Sequence, residues 1–308
     1  MRKFLCIVCL VLMCFGVVAC GKKDSTDNKV GGESQSAVNS VGNTQTDKAE
    51  SNESYFQWDG TKIIGCTESG LKQTNLVIPA KCTAIRGLQG NTSVKSLSFE
   101  NPDTVIMGVA FKGCTALEKV ELPSNLKKFE MQAFMDCTSL KQIVIPDSVV
   151  EMESNVFAGC TSLESAHIGA GLQTITGSTF EMCKSLKSIT IPDGITTIGA
   201  YAFNKCEALE SITFGKGVKT IEKYAFEECD SLKEVRIPEG VTTIGKEAFF
   251  NCKLMENVYI PSSVTSIGTY GFIQVHDYNV YVVKGSYAEQ YIDSLKETEK
   301  VYMTKKYQ

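Results

Sequence analysis

The sequence predicts a solenoid of stacked 23-residue coils. Three observations carry the prediction: a strict internal period, an in–out alternation within each repeat, and turn residues recurring at one place in it. Phe recurs every 23 residues, at Phe111, Phe134, Phe157, Phe180, Phe203, Phe226, Phe249 and Phe272. Cys follows three residues later, from Cys114 to Cys252, and Leu three after that, from Leu117 to Leu232 with Met255 last. An apolar pair comes next, Val120 and Leu122 in one repeat, Ile189 and Ile191 in another, Val258 and Ile260 in the last. Two more apolar columns run from Leu126 to Val264 and from Phe129 to Ile267. Such a period marks units that bury their apolar faces on one another.

Within a repeat, Ser188-Ile189-Thr190-Ile191 alternates polar with apolar, the signature of a half-buried strand. Pro192 and its equivalents Pro123, Pro146, Pro238 and Pro261 end that strand by withholding a donor, and Gly169 and Gly215 take the place in the other repeats. Asp193-Gly194 then turns the chain, and Thr196-Thr197-Ile198 forms a second short extended piece. Ala202-Phe203-Asn204-Lys205-Cys206 reads as a single helical turn leading into the next coil. Strands of successive coils then pair in parallel at about 4.8 Å.

The ends depart from the pattern, as capping requires. Tyr55 to Cys66 is read as an N-terminal cap, and Leu76, Ile78, Pro79 and Ile85 as a first, degenerate coil. In the next coil Leu88 replaces Phe and Asn91 replaces Cys. At the other end Val275 replaces Cys and Tyr278 replaces Leu; either Tyr281 and Val283 or Val280 and Val282 face inward. Lys284-Gly285-Ser286-Tyr287-Ala288-Glu289 opens a helix of about 12 residues, with Ser286 and Glu289 spaced as a capping box. That helix and a strand near Val301 form an α/β cap over the open edge of the last coil.

The first residues are not part of this fold. Arg2 and Lys3 precede an apolar run from Phe4 to Val18, too short to span a membrane and of the size of a signal-peptide core. The following Val17-Val18-Ala19-Cys20-Gly21 resembles the lipobox of bacterial lipoproteins, which implies a diacylglyceryl group on Cys20 as the mature N-terminus. Two acyl chains suffice for stable anchoring. Residues 20–54 are rich in Ser, Asn, Thr, Gly, Asp and Lys and cannot bury enough surface to fold. They read as a tether with a reach of roughly 30 Å. The expected order is a signal peptide over 1–19, a lipid-anchored tether over 20–54, the solenoid with its N-terminal cap over 55–285 and the C-terminal cap over 286–308. The net charge of −4 becomes −6 without residues 1–19, which argues against nucleic acid as a partner, because neutralising phosphates needs a basic face.

Residues 186–206, Leu-Lys-Ser-Ile-Thr-Ile-Pro-Asp-Gly-Ile-Thr-Thr-Ile-Gly-Ala-Tyr-Ala-Phe-Asn-Lys-Cys, resemble the BspA-like, or treponemal-type, leucine-rich repeat, and the resemblance extends over about residues 76–285. It implies a right-handed leucine-rich-repeat solenoid with its parallel sheet on the concave side. It also implies display on a bacterial surface and attachment to host proteins or other cells. The family offers no catalytic residues to carry over.

The cysteine column lacks the close Cys pairs that a zinc site needs, and in-register side chains pointing one way resist a disulfide torsion of about 90°. It reads as a line of small buried thiols. Cys66 and Cys82 lie outside the column, and a bridge between them is left open. Neither His167 nor His276 falls in a triad or metal motif, so neither a cofactor nor a metal is expected. Gly199, Gly245 and Gly268 share a column with Glu130, Glu153 and Glu222, so positive φ is not obligatory there. The residue after each ladder Leu alternates in sign without exception: Lys95, Glu118, Lys141, Glu164, Lys187, Glu210, Lys233, Glu256. Opposite charges on adjacent strands attract, which would select the register of stacking.

The outward strand positions read Glu121, Val144, His167, Thr190, Thr213, Arg236, Tyr259 in one column and Lys119, Gln142, Ser165, Ser188, Ser211, Glu234, Asn257 in the other. Their middle is a plain Ser/Thr surface. Contact residues are expected at Glu121 and His167 and above all at Glu234, Arg236, Asn257 and Tyr259, since Arg and Tyr are over-represented in binding hot spots. The function expected is binding or adhesion through this face, by a monomer anchored outside the cell membrane, to a host or bacterial surface protein or a glycan. A passive spacer without a ligand is the alternative. An enzyme is a third class, for which no paired carboxylates or nucleophile–base constellation stands out.

Overall fold

The computed structural model describes residues 52–308; the expected signal peptide, the expected lipidation residue Cys20 and nearly all of the expected tether lie outside the described residues. Each regular coil contributes a wider strand and a two-residue strand, such as Ser188–Thr190 and Thr197–Ile198. Both kinds pair in parallel from one coil to the next, with Ile189 opposite Ile212 and Thr197 opposite Thr220, one period apart. The wider strands include a four-stranded sheet from Gln142–Val144 to Ser211–Thr213 and another made of Glu234–Arg236, Asn257–Ile260, Tyr278–Val282 and Met303–Tyr307. Ile189 is buried between exposed Ser188 and Thr190, as the alternation requires.

Inside the coils the Phe column forms a continuous stack. Successive rings from Phe111 to Phe272 lie 5.0–5.7 Å apart with their planes within 16°. The cysteine column does more than fill space. Each thiol donates to the carbonyl one coil back, Cys137 to Phe111, Cys206 to Phe180 and Cys252 to Phe226, at 3.2–3.4 Å. Those Phe carbonyls also accept the N–H of the cysteine in their own coil, as Phe203 does from Cys206 at 3.2 Å. Where Val275 replaces Cys, the buried amide of Gln274 donates to the Phe249 carbonyl at 2.6 Å and fills the missing donor's place. All nine cysteines of the described residues, Cys66 and Cys82 included, are free and buried. Burial pushes the Cys114 and Cys252 thiols up to about 12, which keeps them protonated.

The predicted helical turn is absent. Over Tyr201–Cys206 the even residues close turns on their own coil, Ala202 to Gly199, Asn204 to Tyr201 and Cys206 to Phe203. The odd residues donate to the next coil, Tyr201 to the Lys223 carbonyl, Phe203 to Ala225 and Lys205 to Glu227, at 2.8–3.1 Å. A helix would spend every donor within its own coil. This ladder needs a left-handed residue on either side of each Phe that has a further coil to meet, from Phe111 to Phe249, and Tyr201 and Lys205 have φ of 60° and 59°. The pattern recurs from Val109 to Tyr270, with few glycines to ease it.

The Gly199 column does not have positive φ, and its Glu members serve the stack: the Glu130 and Glu222 carboxylates accept the N–H groups of Gly108 and Ala200 one coil back, at 2.7 and 2.8 Å. Gly169 and Gly215 replace Pro for a reason of space. A Cβ at either would lie 2.4 or 2.3 Å from the Pro146 or Pro192 carbonyl oxygen beneath it.

At the N-terminus Phe56–Asp59 and Lys62–Cys66 pair antiparallel and cover the first coil. At the C-terminus Tyr278, Val280 and Val282 face inward, which decides between the two alternatives for that strand. The helix is shorter than expected, Tyr287–Ser294, because Leu295 takes an extended backbone; a separate turn, Glu297–Lys300, follows. Ser286 caps the helix by accepting the Glu289 N–H at 3.2 Å, while the Glu289 carboxylate reaches the Gly285 N–H rather than that of Ser286. Met303–Tyr307 pairs with Tyr278–Val282 and closes the sheet edge.

The alternating charges pair only partly. Lys95–Glu118, Glu118–Lys141 and Glu164–Lys187 come within 3.5–3.8 Å, and beyond Lys187 no ion pair among the described residues joins the column. Exposed pairs at that separation contribute little to stability.

Two outcomes test this packing. Phe203→Ala lowers unfolding free energy by about 3–5 kcal/mol in urea titration, whereas Val109→Gly raises it by up to about 1 kcal/mol, since Val109 is a β-branched residue, 40% exposed, at φ 54°. Iodoacetamide, read by peptide mass spectrometry, leaves the cysteines from Cys66 to Cys252 unmodified in the folded protein and labels them in denaturant.

Candidate functional site

The outward positions of the wider strands play no part in the core, so their side chains are free to vary. At the C-terminal end they assemble into a continuous stack. The register sets Arg236 beside Tyr259, Tyr259 beside Tyr281 and Tyr281 beside Lys306 on four adjacent strands. The Arg236 guanidinium lies 3.7 Å from the Tyr259 ring centre, the two tyrosine rings stack at 4.4 Å, and the Lys306 ammonium lies 5.5 Å from the Tyr281 ring. Both faces of each ring are thereby covered, and the stack presents ring edges and charged heads.

Neighbouring side chains hold these groups in place. Glu234 accepts a hydrogen bond from Arg236 Nε at 2.6 Å, and this bond above all raises the guanidinium's already high pKa. Asn279 Nδ2 donates to Asn257 Oδ1 at 3.0 Å in the parallel column. A shallow cleft of about 380 Å³ opens beside Arg236 and Tyr259, walled by Ile237, Pro261 and Val283.

Of the residues expected from sequence, Glu234, Arg236, Asn257 and Tyr259 are thus brought together. Glu121 and His167 are not. Glu121 pairs with Lys119 at 2.5 Å, five coils before Arg236 and therefore about 24 Å away along the stack. His167 is exposed on a separate cleft of about 450 Å³, shared with Gln142, Val144, Ser188 and Thr190. Val144, 61% exposed, lies between it and Glu121. Sequence reasoning missed Tyr281 and Lys306. Spacings of 22 and 25 residues replace the period there, and only the inward set of Val280 and Val282 would have revealed them. Among the described residues no three His, Cys, Asp or Glu side chains converge in a way that could hold a metal ion.

The repeat is matched by the family model for the BspA type leucine rich repeat region, in six copies, over residues 86–208 and 151–279. A leucine-rich repeat protein of Bacteroides ovatus shares 26% identity over 70% of this chain, with a TM-score of 0.61. The match spans 57% of that protein's length. The leucine rich repeat protein of T. pallidum shares 28% identity over 65% of this chain and 88% of its own, with a TM-score of 0.50. No curated protein matches the chain. With its period, its two parallel ladders and a family match covering more than half its length, the chain belongs to the BspA-type leucine-rich repeat family.

Proposed function

We propose that this protein is a binding module displayed outside the cell, held to the membrane by a lipid on Cys20 and lifted from it by the segment up to residue 54. Its contact surface is the C-terminal part of the wider-strand face, and its partner is a protein on a host or bacterial surface. The observation that carries the reading is the stack of Arg236, Tyr259, Tyr281 and Lys306, an ordered, half-exposed aromatic and cationic cluster with no role in the core. Rigid aromatic and Arg side chains supply contact area at small entropic cost, which is why they dominate binding hot spots. A protein is favoured over a glycan because the ring faces on which a sugar would stack are already covered.

The test is a binding screen of the purified protein against extracellular-matrix proteins, cell surfaces and glycans, beside an Arg236→Ala/Tyr259→Ala double variant. The expected result is a protein ligand whose affinity falls at least about tenfold in the variant. Equal binding by the variant moves the site elsewhere, and a folded protein that binds nothing is a passive spacer. Labelling with an alkyne fatty acid marks the wild type and not Cys20→Ser; a labelled Cys20→Ser refutes the anchor.

A further inference from the structure

A second group of aromatic residues stands in the turn segment of the coil, away from the sheet. Tyr201 and Tyr224 occupy the left-handed position before the ladder Phe in successive coils, both at φ 60°. Glycine or asparagine adopts this conformation with least strain, and Asn155 holds the same place two coils earlier at φ 63°. The ladder imposes this backbone at every coil, and most of the side chains that stand here, such as Gln132, Ser178 and Glu247, are not aromatic, so the two adjacent tyrosines are a feature of side chain and not of backbone.

Their rings stack at 4.7 Å with planes within 15°. The far face of Tyr224 is taken by the Lys246 ammonium, 5.5 Å from the ring centre and 3.1 Å from the Glu247 carboxylate. The far face of Tyr201 looks toward the preceding coil, where the equivalent residue is the small Ser178. Trp58, Tyr259, Tyr281 and Tyr307 likewise each carry a cation of this chain, from Lys81, Arg236, Lys306 and Lys305. Among the described residues no such cation sits over Tyr201.

The charges near Tyr201 favour one. Partial desolvation raises its phenol first, followed by Tyr224 and the carboxylates of Glu227, Glu181 and Glu247. Glu227 is itself raised, by burial first and then by repulsion from Glu228 and Glu247, against the opposing pull of Lys205 and a hydrogen bond from Asn204 at 2.8 Å. An aromatic face bordered by carboxylates is an ammonium or guanidinium seat, because the ring's negative face and the anions attract the same charge. Lys246 between Tyr224 and Glu247 shows that arrangement filled from within.

We propose that the open face of Tyr201, with Glu181 and Glu227 beside it, receives a lysine or arginine side chain from a basic segment of a partner protein. This surface is separate from the Arg236–Tyr259 cluster and does not depend on it.

The experiment measures fluorescence anisotropy of a labelled oligolysine peptide against the full-length protein at about 0.15 M salt, where non-specific attraction is screened. Oligoglutamate and a neutral oligosaccharide are run beside it. Tyr201→Asn preserves charge and suits the left-handed backbone, so it folds; it weakens oligolysine binding about fivefold. Tyr201→Phe keeps the ring face and binds as the wild type does. Glu227→Gln keeps an acceptor for Asn204 and weakens binding by a factor of a few. Oligolysine that binds Tyr201→Asn as tightly as the wild type, or that fails to bind at all, overturns the proposal, as does preference for the neutral sugar.

Discussion

Backbone hydrogen bonds between one coil and the next govern the rest of this molecule. In the wider strand, the short strand and the turn segment, donors and acceptors that a coil cannot satisfy within itself are answered one coil away. All three ladders must advance by the same number of residues, and the 23-residue period meets that condition. The Phe stack, the thiol-to-carbonyl bonds and the left-handed residues around each Phe follow from it. Each occupies a place that recurs because the backbone around it recurs.

Most of the fold was legible for the same reason. Ile189, Pro192, Ile198, Phe203 and Cys206 repeat at fixed offsets, and the polar–apolar pattern around Ile189 told strand from turn. What escaped was backbone conformation that side chains do not announce. Tyr201 and Lys205 carry none of the glycine or asparagine signals of a left-handed residue, so the segment between them reads as helix. The role of Gln274 was hidden because it stands one position before the missing cysteine, and only coordinates show its amide reaching the Phe249 carbonyl. The charge column was plain as a pattern, but long exposed side chains need not meet because their Cα atoms do, and past Lys187 they do not.

The candidate site divides along the same line. Arg236 and Tyr259 could be placed side by side from the period alone. Tyr281 and Lys306 belong to the cap, where the spacing changes, and their alignment depends on how the final strand closes the edge. The cap therefore does two jobs: it satisfies the backbone of the last coil and completes the ordered surface on its outward side.

Neighbour-only contact also shapes how the molecule answers a pull. A solenoid whose coils touch only adjacent coils has no remote contacts to share a load, so tension at one end falls on the outermost interface. Each coil that peels away frees 23 residues, or about 80 Å of extended chain. A protein holding a cell to a moving surface would lengthen in steps of that size, shedding force coil by coil while the remaining stack kept its grip.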